Sequence, residues 1–141
     1  MNSSEDAAYR LQLARECLSE AEEDLNLKRW RPCVDGAQLA IENAAKAIVA
    51  CFGPVPRTHE LGERLQVIST LDRAKDVAAK IEPIIPLVVE YGTQMHIRVT
   101  YGDEKTFRTP RMLFGEGDAV KAAANARQVV AVAERVYEHF F

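Results

Sequence analysis

Residues 30–61 read WRPCVDGAQLAIENAAKAIVACFGPVPRTHEL, and this stretch decides the fold. Ala37, Ala40, Ala44, Ala45 and Ala47 crowd one element, so a neighbouring helix can approach its backbone closely. Glu42 stands four residues before Lys46, a spacing that puts both on one helix face where they can pair. The helix is predicted to begin near residues 28–32 and to end by residue 52, with Pro32 in the first turn, where its missing N–H costs nothing. Gly53 suits the left-handed residue just past a helix end, and Pro54 and Pro56 bar continuation. Thr58 is expected to cap the helix that follows.

Working outward, the periodicity stays helical. Before the stretch, Ala7, Leu11, Ala14, Leu18, Ala21 and Leu25 alternate steps of four and three, with Ser3 or Ser4 as the expected cap. After it, Leu61, Leu65 and Ile68 mark a short helix. A fourth helix is predicted to start at Asp72 as cap and to run through Ala74, Val77, Ala78 and Ile81. Pro83 and Pro86 then remove hydrogen bonds and clash with the preceding turn, so a kink near 82–86 is expected, with a true break as the alternative. The apolar run 84–89 also reads as a buried strand, but a lone strand among helices has no partner. Residues 100–117 are turn-like, and Ala119, Ala123, Ala126, Val130, Ala133, Tyr137 and Phe140 mark a last long helix. The expectation is one all-α domain over 1–141: an up-and-down bundle of four long helices and one short one, the fourth kinked by proline.

Composition sets the outer bounds. A chain of 141 residues that is 48% hydrophobic and 28% charged is ordinary for a globular domain. Its longest apolar runs are too short to span a bilayer, and the polar start, residues 1–5, does not read as a signal peptide. Cys17, Cys33 and Cys51 are odd in number and widely spaced, which reads as free thiols in a reducing cytoplasm. The net charge of −3 disfavours indiscriminate nucleic-acid binding. That charge is uneven, however: residues 27–115 carry +3 between an acidic first segment of −5 and a last segment of −1.

Trp30, the pattern from Ala37 to Ala47, the Gly53-Pro54 break and Thr58-His59-x-Leu61 together resemble the HEPN domain, the higher eukaryote and prokaryote nucleotide-binding family. The segment Tyr101-Gly102-Asp103-Glu104 is similar to that family's Y-x-D segment near the end of a long helix. The resemblance implies a helical bundle, usually a homodimer. Active members are metal-independent ribonucleases carrying arginine, four to six residues, then histidine. Here the positions an arginine would fill are Phe52, Gly53 and Pro54 before His59. They are Val89, Glu90 and Tyr91 before His96, and Val132, Ala133 and Glu134 before His139. The nuclease motif is absent, and no catalytic residue is expected.

The candidate site is the segment 98–111, with His96 beside it. Arg98, Arg108 and Arg111 offer cations for phosphate, Tyr101 an aromatic face for a base, and Asp103 and Glu104 carboxylates for ribose hydroxyls or for orienting the arginines. His96 and Arg98 form an inverted pair two residues apart. A competing account makes Tyr101 and Asp103 a lock for the turn and the His96–Arg98 pair a bare surface feature. His59 reads as a packing or hydrogen-bonding residue in a helix first turn, and His139 as exposed. No metal-ligand spacing, phosphate loop or hydrolase triad is present, and no cofactor is expected.

Val120, Val129, Val132 and Val136 form a second apolar face on the last helix, which points to a subunit contact. The leading expectation is therefore a non-catalytic interaction module. The resemblance implies a minimal nucleotidyltransferase as its partner, in a two-component or toxin–antitoxin-like system. The alternatives are nucleotide or RNA binding at 98–111, and a cryptic ribonuclease using His96 and Arg98.

Overall fold

Small apolar residues repeated every three or four positions let helices pack close, and three such helices build the body of the protein. The computed structural model describes residues 3–141. The chain runs α1 (Ser3–Asn26), α2 (Trp30–Ala50), α3 (Gly62–Ile68), α4 (Ala78–Ile81), α5 (Ile85–Glu90), α6 (Thr93–Tyr101), α7 (Pro110–Leu113) and α8 (Glu116–Phe140). Single 3-10 turns lie at Asp72–Ala74 and Glu82–Ile84. No strand occurs among the described residues; one isolated antiparallel bridge joins Asp103 and Arg108. The all-α bundle read from the periodicity is the fold that forms.

Helix α2 is the axis, packed by α1 on one side and α8 on the other, while α1 and α8 also touch. The alanines from Ala37 to Ala47 are buried in these seams, as are Ala7, Leu11, Ala14 and Ala21 of α1. A Cβ added at Gly36 would sit 3.2 Å from the Ala21 Cβ and 3.3 Å from the Cys17 carbonyl oxygen, which measures how near the two backbones come. Leu61, Leu65 and Ile68 are buried as expected. The second face of α8 is spent inside the protomer: Val129 and Val136 are buried, Val132 packs partly against the core, and Val120 alone of the four is exposed. Lying against α1 and α2 at once, α8 needs both apolar sides for the chain's own core.

Several helix ends depart from the sequence reading. Helix α1 already contains Ser3 and Ser4, so neither caps it; a cap would fall at or before residue 2, outside the described residues, as does part of the polar 1–5 stretch. Gly53 is not left-handed: α2 ends in tightened bonds from the N–H groups of Cys51 to Ile48 and of Phe52 to Val49, and the Gly53 N–H makes an ordinary helical bond to Val49. The Thr58 hydroxyl accepts from the Glu60 N–H at 2.9 Å and fixes the loop before α3 instead of capping it. Asp72 makes no capping bond.

The fourth helix is a succession of short pieces, so the kinked rod does not form and the alternative, a true break, does. Pro83 and Pro86 sit in the opening turns of the Glu82–Ile84 turn and of α5, the positions where proline is tolerated. Gly92, with φ −87° and ψ −144°, then separates α5 from α6.

Candidate functional site

The link between the first two helices ends α1 with a left-handed residue. Lys28 has φ 59°, its N–H donates to the Leu25 carbonyl at 3.1 Å, and the Arg29 N–H donates to the Asp24 carbonyl at 2.8 Å. This paired reverse bond is a Schellman closure, in which glycine is the usual left-handed residue. Here the position holds a lysine, followed by Arg29, Trp30 and Arg31.

These residues face the far end of the chain across a groove of about 740 Å³, lined by Lys28, Arg29, Trp30, Arg31 and Pro32 on one side and by Thr109, Pro110, Arg111 and Phe114 on the other. Arg31 is held in place by its Nε bond to the Val99 carbonyl at 2.7 Å. Arg29 keeps only a long contact of 3.9 Å to Asp24, and neither Lys28 nor Arg111 forms an ion pair among the described residues. Thr109 caps α7 by accepting from the Met112 N–H at 3.4 Å, and Pro110 opens that helix. The groove thus joins four cations to the half-buried indole of Trp30, with the buried Phe114 ring beneath, a combination suited to a phosphate with an attached base.

The expected site segment forms a hairpin beside this groove. Asp103 exchanges backbone bonds with Arg108 at 2.8 and 3.0 Å, and its carboxylate accepts from the Lys105 and Thr106 N–H groups at 3.0 and 3.4 Å. Desolvation raises its pKa, yet the bonds from Thr106 and Lys105 and the nearby charge of Arg98 hold the carboxyl below its ordinary value. Gly102, with φ 79°, allows the tight return, since a Cβ there would collide with the Arg108 carbonyl oxygen. Asp103 therefore locks the turn. Tyr101 does not, standing exposed with Phe107, which is 89% accessible at φ 57°. Arg98 and Glu104 are exposed, and Arg108 reaches the Met112 carbonyl at 3.3 Å. Of the expected residues only Arg111 lines the groove.

His96 belongs to a different cluster. It lies in the first turn of α6, with Nδ1 3.3 Å from the Gln38 Oε1 and its ring stacked on His59; it is neither a fraying surface residue nor a partner of Arg98. Gln38 is fully buried and donates to the Tyr91 carbonyl at 3.1 Å and to Glu42 at 3.2 Å. Glu42, 6% exposed, also meets Lys46 at 3.1 Å and His59 Nδ1 at 2.5 Å. Burial alone would raise the Glu42 pKa, but the bonds from His59, Lys46 and Gln38 outweigh it and hold the carboxyl below its usual value. His59 sits in the loop ahead of α3 and has the hydrogen-bonding role expected of it. His139 lies 3.9 Å from Asp76.

Lys28, Arg29, Trp30 and Arg31 are functional candidates that the sequence reading missed. Three cations around the chain's single tryptophan, directly after an acidic helix, are the signal that marks them. Among the described residues no group of three or more His, Cys, Asp or Glu side chains is placed to hold a metal. No helix there is long and apolar enough to cross a membrane.

The family model of the HEPN domain matches residues 7–138, and the chain belongs to that family. Among solved structures it is similar to TT1696 from Thermus thermophilus, with a TM-score of 0.63 at 20% identity, covering 96% of this chain and 99% of that one. At that identity the likeness speaks for the fold. No curated protein matches the sequence.

Proposed function

We propose that this HEPN protein is a non-catalytic binding module for phosphate-bearing ligands with a base, a nucleotide or a single-stranded RNA end, taken in the groove between Lys28–Pro32 and Thr109–Phe114. The observation that carries the reading is the grouping of Lys28, Arg29, Arg31 and Arg111 around Trp30 and Phe114 in a chain of net charge −3. Arginine forks hold phosphate oxygens, and ring faces stack on bases without regard to sequence. Tyr101 and Phe107 extend the aromatic surface on the neighbouring hairpin, with Arg98 and Arg108 as flanking cations and Asp103 and Glu104 limiting the local charge.

Trp30, the single tryptophan, is the reporter. Titration with AMP, ATP and a short single-stranded RNA should change its fluorescence saturably, and Arg111→Ala should weaken binding roughly tenfold. Arg98→Ala, outside the groove, should matter less. RNA affinity should also fall with added salt. An unchanged signal at millimolar ligand, or affinity indifferent to Arg111→Ala, overturns the reading.

A second reading is the partner subunit of a nucleotidyltransferase, in a toxin–antitoxin-like pair or as a homodimer. It is favoured by the exposed apolar side chains of Phe107, Met112 and Val120 and by the acidic α1. Light scattering and recovery of a complex from the native cell test it; a monomer recovered alone removes it. The three unpaired thiols favour a cytoplasmic setting.

A further inference from the structure

We propose that a second cavity, of about 410 Å³ and walled by Arg10, Lys46, Arg57, Thr58 and His59, is a separate anion site that takes a terminal phosphate group. It goes beyond the groove reading and does not depend on it.

The wall is built and held. Arg10 is steadied by Asp6 at 3.3 Å, and Lys46, whose side chain is only 14% exposed, by Glu42 at 3.1 Å. Glu42 also accepts at His59 Nδ1. An ionised carboxylate has no proton to give, so Nδ1 is the donor; Nε2 is the ring nitrogen left for a ligand, and in that tautomer it accepts from a protonated phosphate oxygen. His96 backs the ring by stacking on it. The Thr58 oxygen accepts from the Glu60 N–H, which leaves its hydroxyl proton to donate. Arg57 makes no ion pair among the described residues. Pro54 and Pro56 restrict the loop that carries Arg57, Thr58 and His59, so little freedom is lost on binding.

Charge gives the class of ligand. Three guanidinium or ammonium groups and one imidazole line the cavity, and the carboxylates paired with them are Asp6 and Glu42. Glu60 is turned to α6, where it accepts from the Thr93 N–H at 2.8 Å. The surplus is positive. Unlike the groove, the cavity has no indole or phenyl ring in its wall, so it offers a phosphate its cations and gives a base no large ring to stack on. Trp30 and Lys46 are sixteen residues apart on α2, about 24 Å along the axis, too far for one mononucleotide to fill both sites.

Calorimetric titration of the full chain with inorganic phosphate and with ribose 5-phosphate tests this site, since neither probe has a base. The expected result is saturable millimolar or tighter binding of at least one probe, weakened roughly tenfold by Arg57→Ala or Arg10→Gln and unchanged by Arg111→Ala. Preference for ribose 5-phosphate identifies a phosphoryl end as the source, and preference for inorganic phosphate the free ion; either supports the site. Absence of saturable binding by both probes, or affinity unmoved by both cavity variants, overturns it. Loss of binding in Arg111→Ala alone overturns it too, by moving the phosphate to the groove. Arg57 is exposed and Arg10 half-buried, and circular dichroism verifies that both variants fold.

Discussion

The imidazoles of His59 and His96 lie face to face, with ring centroids 4.3 Å apart and planes 19° from parallel. One comes from the loop before α3 and the other from the start of α6, and both are tied to α2, His59 through Glu42 and His96 through Gln38. The pair therefore clamps two peripheral segments onto the central helix through a buried polar network.

Glu42 is the hub of that clamp, and its removal should be costly. Glu42→Ala leaves Lys46, Gln38 and His59 without their shared acceptor and is expected to destabilise the fold by about 3 kcal/mol in chemical denaturation. The pH dependence follows from the direction of its shift. The folded carboxyl titrates below its ordinary value of 4.5, so the stabilisation is present above that value and is lost as pH falls through the lower folded value. The wild type should lose stability on acidification below about pH 4.5, and Glu42→Gln should flatten that loss. Equal slopes for the two proteins would show that Glu42 does not carry it.

Lys28 trades stability for charge. Holding a lysine in the left-handed region costs about 1 kcal/mol relative to glycine, partly offset by the greater freedom glycine gives the unfolded chain. Lys28→Gly should raise stability by about 0.5 kcal/mol while weakening nucleotide binding in the groove several-fold. A variant less stable than wild type would contradict the conformational argument, and one with undiminished binding would remove Lys28 from the site.

The thiols should differ in reactivity. Burial pushes both Cys33 and Cys51 up to about 11, so on the order of one in ten thousand is thiolate at neutral pH. Cys17, half-buried, is raised as well, by burial and then by Glu20 and Glu16. Mass spectrometry of the native protein should show a neutral maleimide labelling Cys17 first, and an anionic disulfide reagent lagging behind it. Early labelling of Cys33 or Cys51 would show that the helical seams open readily.

The bundle was legible because its seams are written in small residues at helical spacing: Ala7 to Ala21 and Ala119 to Ala133 announce their faces without reference to the rest of the chain. Helix ends were less so. Gly53, Thr58 and Asp72 each carry a terminus signal, but each is answered by a local bond or a neighbouring turn that the spacing does not encode. The second valine face of α8 was visible as a pattern, yet whether α1 or another subunit covers it is a tertiary matter. The groove was half legible. Arg111 stands out in its segment, but its companions Lys28 to Arg31 come from the other end of the chain. His96 is near Arg98 in sequence, whereas its contacts are Gln38 and His59.

The segmented stretch from Asp72 to Glu90 has a dynamic consequence. None of its pieces exceeds six residues, too short to persist without the surface of α2 and α8 beneath them. Their amides should exchange with deuterium through partial opening while α1, α2 and α8 stay protected to the limit of global unfolding. Two prolines thus set where a protease should cut first, in pieces that lie over the alanine seams without forming part of them.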